Sequence, residues 1–598
     1  MPLRPLASEK PFTATTPVPA VHTTTRVRLW FGLLALVSAI FLIRLFYLQV
    51  IKHEYYRQAA LHSQLKQYEV PAERGTIVAH DGDTTTPIVL NEKLYTLFAD
   101  PTFVKDPGKA ALGIAPIIGV DANKLESQLK TRDTRYVVLA KKLSAAQKTR
   151  LDKLNLLGVG TREAVYRTYP QGSLASQLLG FVNDDGAGQY GIEQALDGKL
   201  KGTPGELKAI TDAEGVPLVA NKDNIVTDPK AGDQVTLTID IGMQRSLEDI
   251  LKAGLDRVQS KSGSAIIMDP KTGAIKAMAN YPTYDPGKLA DVTDLSVLGN
   301  AAVSSPLEVG SIMKTLTSSA ALDQGVINLN SSFYDDGYVQ VGDRKITDVE
   351  DSRGTQTLES ILVNSLNTGA VWILKQMGGG DINAKARNAW NDYMTNHFQL
   401  GKETGVEQAG EDPGYIPKPS DNGAGINVTY ANTAFGQAMT ATPLQMLGAF
   451  ASIVNGGTYY RPRLVDSYQD SAGKNNPVKP EVVRADTVSP GVSGQMVTLL
   501  QQVAKVNVPA ATHTGYIVGG KTGTAQITQP GGGYSADKFN GTYLGFVGGD
   551  TVQYVIVVRV NEPKITSTGF AGSGAAAPIF KDLSNMLINN FGVTPKSQ

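Results

Sequence analysis

A serine hydroxyl becomes a useful nucleophile only when a neighbouring base takes its proton. A lysine three positions further along a helix lies on the same face and within reach. The sequence contains this S-x-x-K pairing at Ser63/Lys66, Ser127/Lys130 and Ser311/Lys314. Context separates them. Ser63 and Ser127 lie in LHSQLKQ and LESQLKT, charged stretches that read as solvated helix faces. Ser311 lies in PLEVGSIMKTLTSSAALDQG, where a glycine turns the chain before the serine and SIMKTLTSSAALD reads as a helix. A helix start also favours an alkoxide through the positive end of its dipole. Ser311 is therefore the expected nucleophile and Lys314 its base.

Two further polar elements recur, each with decoys. S-x-N is met by Ser365/Asn367 and, as a literal SDN, by Ser420/Asn422. The first lies in TLESILVNSLNTGAVWILKQMG, an apolar-periodic stretch far enough downstream to return to the same cleft. The second sits in PKPSDNGAG, a string of turn formers that reads as a loop. K-[ST]-G occurs at Lys261, Lys271 and Lys521. Lys261 and Lys271 read as turns beside two strands upstream of the nucleophile. Lys521, in YIVGGKTGTAQIT, has β-type residues on both sides and glycines where a substrate backbone can approach closely. Only the order Ser311, Ser365, Lys521 places all three elements in suitable settings.

Positioning these groups requires a substantial fold. The 598 residues suggest about three to four units at roughly 150 residues each, and 41% hydrophobic against 19% charged residues suits a chain that builds cores. Basic and acidic residues balance at 56 each, which argues against nucleic acid as a partner. There is no cysteine, so thiol chemistry and disulfides are excluded. The six histidines show no ligand spacing, and no metal is expected. Residues 29–51 are apolar except for Ser38, Arg44 and Gln49. As a helix they rise about 35 Å, enough to span a bilayer. The stretch is too long for a signal peptide and no A-x-A site follows. The Pro- and Thr-rich residues 1–28 read as a disordered tail, and Arg26 and Arg28 favour placing it inside. Residues 52–230 mix charged helices and short strands with no nucleophile cluster, which reads as a spacer. From 231 onward, QVTLTIDIGMQRSLEDIL reads as a strand entering a helix, and SGSAIIMDPKTGAIKAMAN as two strands joined by a turn. TYLGFVGGD and QYVIVVRVNE add two more strands near the end. Residues 231–598 are thus expected to form an α+β domain, an antiparallel sheet carrying a helical cluster.

With these motifs in place the chain resembles the class B penicillin-binding proteins. The likeness extends to RGTI at 74–77, YPQG at 169–172, YGIEQALDGKLKGTPG at 190–205, LTID at 237–240 and FGQAMTATPLQM at 435–446. It implies a penicillin-binding transpeptidase domain on an elongated pedestal of the dimerisation type, behind one transmembrane helix. It implies a cytoplasmic N-terminus and a catalytic domain outside the bacterial cytoplasmic membrane. The implied activity is serine-type D-Ala-D-Ala transpeptidation of peptidoglycan stem peptides on lipid-linked nascent glycan, with β-lactams as covalent inhibitors and no cofactor. No glycan-polymerising domain is visible, so partnership with a SEDS-family glycosyltransferase and other division proteins is implied. NSLNTGAV and KTGTAQ look closer to division-type than to elongation-type enzymes. In the implied mechanism Ser365 relays a proton and Asn367 orients Lys314. Lys521 keeps Lys314 neutral and, with Thr522, Gly523 and Thr524, receives the substrate carboxylate. The Ser311 and Thr524 amides form the oxyanion hole. Val309 replaces the family's usual proline, and Ala79 and His80 replace Asp-Arg after RGTI. An elongation-type enzyme and an inactive division scaffold are the alternatives. A β-lactam sensor would need a larger cytoplasmic domain, and a β-lactamase neither the spacer nor the anchor.

Overall fold

The structure is a computed structural model that describes residues 25–56, 65–210, 225–421, 423, 425–529, 533–565 and 570–597. The chain forms two compact units, Met1–Val70 with Gly205–Asp228, and Pro71–Pro204 with Pro229–Gln598. In the smaller unit the apolar run is a helix, Thr25–Phe46, continued by a π turn, Tyr47–Ile51. Val27–Ile51 has a mean hydropathy of 2.3 and none of it is buried, so it is long and apolar enough to cross a membrane. The same unit pairs Leu65–Val70, Gly205–Ile210 and Ile225–Thr227 in an antiparallel sheet. Of the expected tail, residues 1–24 lie outside the described residues, as does the decoy Ser63.

The larger unit begins with the strands Ile77–Asp81, Thr84–Ala99, Val137–Leu143 and Val159–Thr168. Leu97, Ile114, Leu125, Leu139 and Leu143 form a separate small core among these strands and the helices between them. Gln234–Asp240 then runs parallel to Ile77–Asp81 and antiparallel to Val465–Gln469. One sheet therefore runs across residue 230. Ala79 is fully buried in that sheet, and His80 Nε2 lies 3.5 Å from Asp466 Oδ2.

The scaffold of the three sequence motifs comes next. Helix α1 (Ile241–Arg257) is capped by the Asp240 carboxylate, which accepts the Met243 N–H. It leads into β1 (Ser262–Met268) and β2 (Ile275–Tyr281). The helices α2 (Met313–Asp323), α3 (Leu358–Val363), α4 (Asn367–Met377) and α5 (Pro443–Val454) follow. The chain returns through β3 (Ile517–Thr528), β4 (Tyr534–Gly548) and β5 (Val552–Asn561) to α6 (Ala577–Asn590). The five strands form one antiparallel sheet in the order β2-β1-β5-β4-β3, so strands from the two ends of the domain do share a sheet.

Period-two alternation explains why β5 reads as the unbroken apolar run YVIVVRV. Val555 and Val557 pack in one core with Leu316 and Ala320 of α2 and Phe450 of α5. Ile556 and Val558 pack in another with Leu247 and Leu251 of α1 and Phe580 of α6. The sheet is buried on both faces between helical layers. Lys521 pairs in register with Leu544, which lies in the α2-side core, so a lysine takes an inward position on the edge strand β3.

Candidate active site

Ser311 occupies a single 3-10 turn, Gly310–Ile312, that leads into α2. Gly310 has φ +65°, and a Cβ there would lie 2.7 Å from the Thr524 carbonyl oxygen and 3.1 Å from the Thr524 nitrogen. Only glycine lets this turn rest directly on the peptide of β3. A Cβ on Gly436 would in turn lie 2.1 Å from the Gly310 oxygen, and Gly310 N–H donates to Gly436 O at 3.0 Å. FGQAM thus presses the nucleophile turn against KTGT, backbone on backbone. Val309, which stands where the resembled family usually has proline, has φ −79°, close to proline's own fixed angle. Its carbonyl accepts the Thr542 hydroxyl at 3.1 Å.

Lys314 is fully buried one helical turn after Ser311. Its amine lies against the Ser365 carbonyl, 3.3 Å from Ser365 Oγ and 2.9 Å from Asn367 Oδ1. Burial drives its pKa far below that of a free lysine, the positive Lys521 lowers it further, and Asp348 opposes both. Lys521 is also fully buried, and desolvation brings its pKa down to about 7. Its amine lies 3.1 Å from Thr522 O and 3.4 Å from Thr522 Oγ1.

The stretch around Ser365 was expected to be one apolar-periodic segment, and instead it breaks at the serine. Helix α3 ends at Val363, Ser365 takes φ +57°, and Leu366 N–H donates back to Ile361 O at 3.0 Å. This is a Schellman ending with serine in the left-handed position that glycine normally fills. The strain, on the order of 1–3 kcal/mol, turns both the carbonyl and the hydroxyl of Ser365 toward the Lys314 amine. Helix α4 then starts at Asn367.

The three stretches therefore converge. Lys314, Ser365 and Asn367 are joined by hydrogen bonds. Ser311 precedes Lys314 by one turn and is half-buried, and Gly523 and Thr524 lie against its turn. A Cβ on Gly523 would sit 2.8 Å from Val309 O. Thr524 Oγ1 accepts the Gly572 N–H at 3.0 Å. β3 is the edge strand of the sheet, paired with β4 on one side only. The decoys fall elsewhere. Ser127 and Lys130 are exposed on the helix Ala122–Leu129 and its C-terminal cap, Lys130 pairing with Glu126 at 2.6 Å. Ser420 is an exposed turn residue, and Asn422 lies outside the described residues. Lys271 sits in the turn between β1 and β2, its amine 2.9 Å from Thr551 Oγ1.

Two contributors carried no sequence signal. Glu308, three residues before Ser311, accepts from Ala438 N and Tyr534 OH, each at 2.9 Å, and burial raises its pKa. Asp348 accepts the backbone N–H groups of Asn367 and Thr368. Acidic residues are common enough along the chain that neither spacing nor composition singles these two out.

The chain is similar to known proteins along most of its length. Residues 263–585 match the family model for the penicillin binding protein transpeptidase domain, and 69–237 match that for the penicillin-binding protein dimerisation domain. The chain is 31% identical to stage V sporulation protein D of Bacillus subtilis over 96% of its length and 87% of the relative's. It is 27% identical to peptidoglycan D,D-transpeptidase FtsI of Escherichia coli, covering 95% of this chain and 92% of that one. Among solved structures, a peptidoglycan synthetase from Bifidobacterium adolescentis superimposes with a TM-score of 0.69 at 25% identity, over 89% of this chain and 98% of the other. Penicillin binding protein 3 of Mycobacterium tuberculosis, complexed with aztreonam, does so with a TM-score of 0.65 at 25% identity, over 88% and 98%.

Proposed function

The chain belongs to the penicillin-binding protein transpeptidase family, and on that premise we propose that it crosslinks peptidoglycan stem peptides in septal wall synthesis through an acyl-enzyme on Ser311. It is a class B D,D-transpeptidase whose relatives include division enzymes. The observation that carries the site assignment is the Lys314 amine, buried against Ser365 and Asn367 one turn from a half-buried serine hydroxyl.

Lys314, held neutral, takes the Ser311 proton as Oγ attacks the carbonyl carbon of the stem peptide's D-Ala-D-Ala bond. The developing oxyanion is held by the backbone N–H groups of Ser311 and Thr524, worth roughly 3–4 kcal/mol per donor in well-studied hydrolases. As the C–N bond breaks, the Ser365 hydroxyl gives its proton to the leaving D-alanine amine and is resupplied by Lys314. The amine of a second stem peptide then attacks the ester and returns the proton to Ser311 by the reverse path. The peptide lies along the open edge of β3, its terminal carboxylate against Lys521, Thr522, Gly523 and Thr524. That carboxylate stabilises protonated Lys521, whose positive charge in turn keeps Lys314 deprotonated.

β-Lactams present a strained amide and a carboxylate to the same groups, and related structures carry aztreonam and ampicillin. The N-terminal helix anchors the chain with residues 1–28 cytoplasmic and the enzyme outside. Residues 52–230 act as its pedestal, and a SEDS-family glycosyltransferase supplies the nascent glycan. The test is Ser311→Ala against a fluorescent penicillin, with mass spectrometry of the wild-type adduct. Labelling should vanish in a variant that melts like wild type, and the adduct should map to Ser311. Persistent labelling, or an adduct on another residue, overturns the assignment.

A further inference from the structure

Helix α4 starts without a cap of its own, because its N-cap residue Leu366 has no side-chain acceptor. Its first two N–H groups are satisfied from outside. Asp348 Oδ1 accepts from Asn367 N, and from Thr368 N at 3.1 Å. The other carboxylate oxygen, Oδ2, lies 2.6 Å from Thr368 Oγ1 and 2.8 Å from Ser352 Oγ. Both hydroxyls also meet Asp335 Oδ2, at 2.6 and 2.7 Å. Thr347, beside Asp348, uses its carbonyl to accept Asn367 Nδ2 at 3.2 Å. One short segment thus fixes both the backbone and the side-chain amide of Asn367, and leaves Asn367 Oδ1 facing the Lys314 amine at 2.9 Å.

We propose that Asp348 is a positioning residue of the reaction, clamping the start of α4 so that Asn367 and Ser365 hold the Lys314 amine, and placing a carboxylate directly behind Asn367, the amine's own hydrogen-bond partner. The inference rests on Lys314 being the base. A carboxylate at a helix N-terminus is bound both by charge-assisted hydrogen bonds and by the helix dipole, so the clamp is stiff where precision is needed. Lys521 from β3 and Asp348 from the segment before α3 both act on the charge of Lys314. They pull in opposite directions.

The experiment is the rate of acylation by a fluorescent penicillin as a function of pH, in the full chain. Neutral Lys314 is the active form, so the rate rises with pH through its pKa. Asp348 favours the ammonium form; removing its charge lowers that pKa and moves the acid limb to lower pH. Asp348→Asn keeps an acceptor for the two N–H groups, and its amide can donate to the two hydroxyls. It should shift the acid limb downward and retain most of the plateau rate. Asp348→Ala removes the clamp as well as the charge; its acid limb should shift in the same direction, and its plateau rate should fall by roughly tenfold, as loss of about 1.4 kcal/mol of transition-state positioning would. Asp335→Asn serves as the control, since Asp335 shares the hydroxyls but touches neither α4 N–H; its limb should stay in place. An unmoved limb in Asp348→Asn, or wild-type rates in Asp348→Ala, overturns the proposal. Failure of the base assignment would instead show as undiminished acylation when Lys314 itself is replaced.

Discussion

Buried charge is handled in opposite ways in two regions of this molecule. In residues 71–204, Glu193 is fully buried between two arginines. Arg74 reaches it at 2.6 Å and Arg167 at 2.7 Å, while Arg74 also binds Asp197 at 2.7 Å and Arg167 meets Asn91 at 2.8 Å. Each charge there meets its opposite. Around Ser311, two lysines are equally buried with no carboxylate in hydrogen-bonding contact with either amine among the described residues. A buried amine without a counter-ion sheds its proton, whereas a paired one keeps it. The first cluster holds strands Thr84–Ala99 and Val159–Thr168 to the helix Gly191–Ala195. The second, on the proposed mechanism, keeps an amine ready to accept a proton. In these two clusters, pairing goes with structure and its absence with the proposed chemistry.

The sharpest way to break that contrast is to remove one charge from each cluster and compare the signs. Lys314→Met should lower acylation by about 10²–10⁴-fold, the range for loss of a general base. Its melting temperature should hold or rise, because an amine buried at a cost is replaced by an apolar chain of similar length. Glu193→Ala should do the reverse. Removing one partner of a buried ion network strands the others and costs about 3–5 kcal/mol, read as a lower denaturation midpoint. Acylation measured below that midpoint should remain within about twofold of wild type, since no group at the Ser311 site is touched. If Lys314→Met destabilises as much as Glu193→Ala does, both clusters are structural and the contrast fails.

The two regions also differ in how legible they were. RGTI and YGIEQALDG flagged Arg74, Glu193 and Asp197 through resemblance, but nothing in their spacing said that they meet, because they are joined only in the fold. At the catalytic centre Ser311 and Lys314 were readable, since one helical turn links them by local geometry. Lys521 was readable because a lysine between glycines in a β-type run is unusual. The sheet was legible for the same reason: alternation and turn residues are local signals. The break at Ser365 was not. Its sequence has apolar periodicity throughout, and a serine in a left-handed position gives no signal where glycine would. Asp348 was invisible for a different reason. Its role depends on meeting a helix start 19 residues later in sequence, and no propensity encodes that. Gln234–Asp240 read as a strand, but its partners did not follow from the reading, because pairing partners are set by tertiary packing.

The smallest expected effect is the strictest check on reading motifs by context. Ser420 matches S-x-N literally, as Ser365 does, yet it is exposed in a turn. There Lys418 N–H donates to Asp421 Oδ2 at 3.1 Å, and Asp421 N–H to Lys418 O at 3.1 Å. That turn is built by Asp421 and the Lys418 backbone. Ser420→Ala should change stability by no more than about 0.5 kcal/mol, as solvated substitutions do, and leave penicillin acylation within experimental error. Ser365→Ala, by contrast, removes a hydroxyl 3.3 Å from the Lys314 amine. Should the Ser420 variant lose acylation while the Ser365 variant keeps it, the proton path runs through the loop, and the strained conformation at Ser365 has no catalytic purpose.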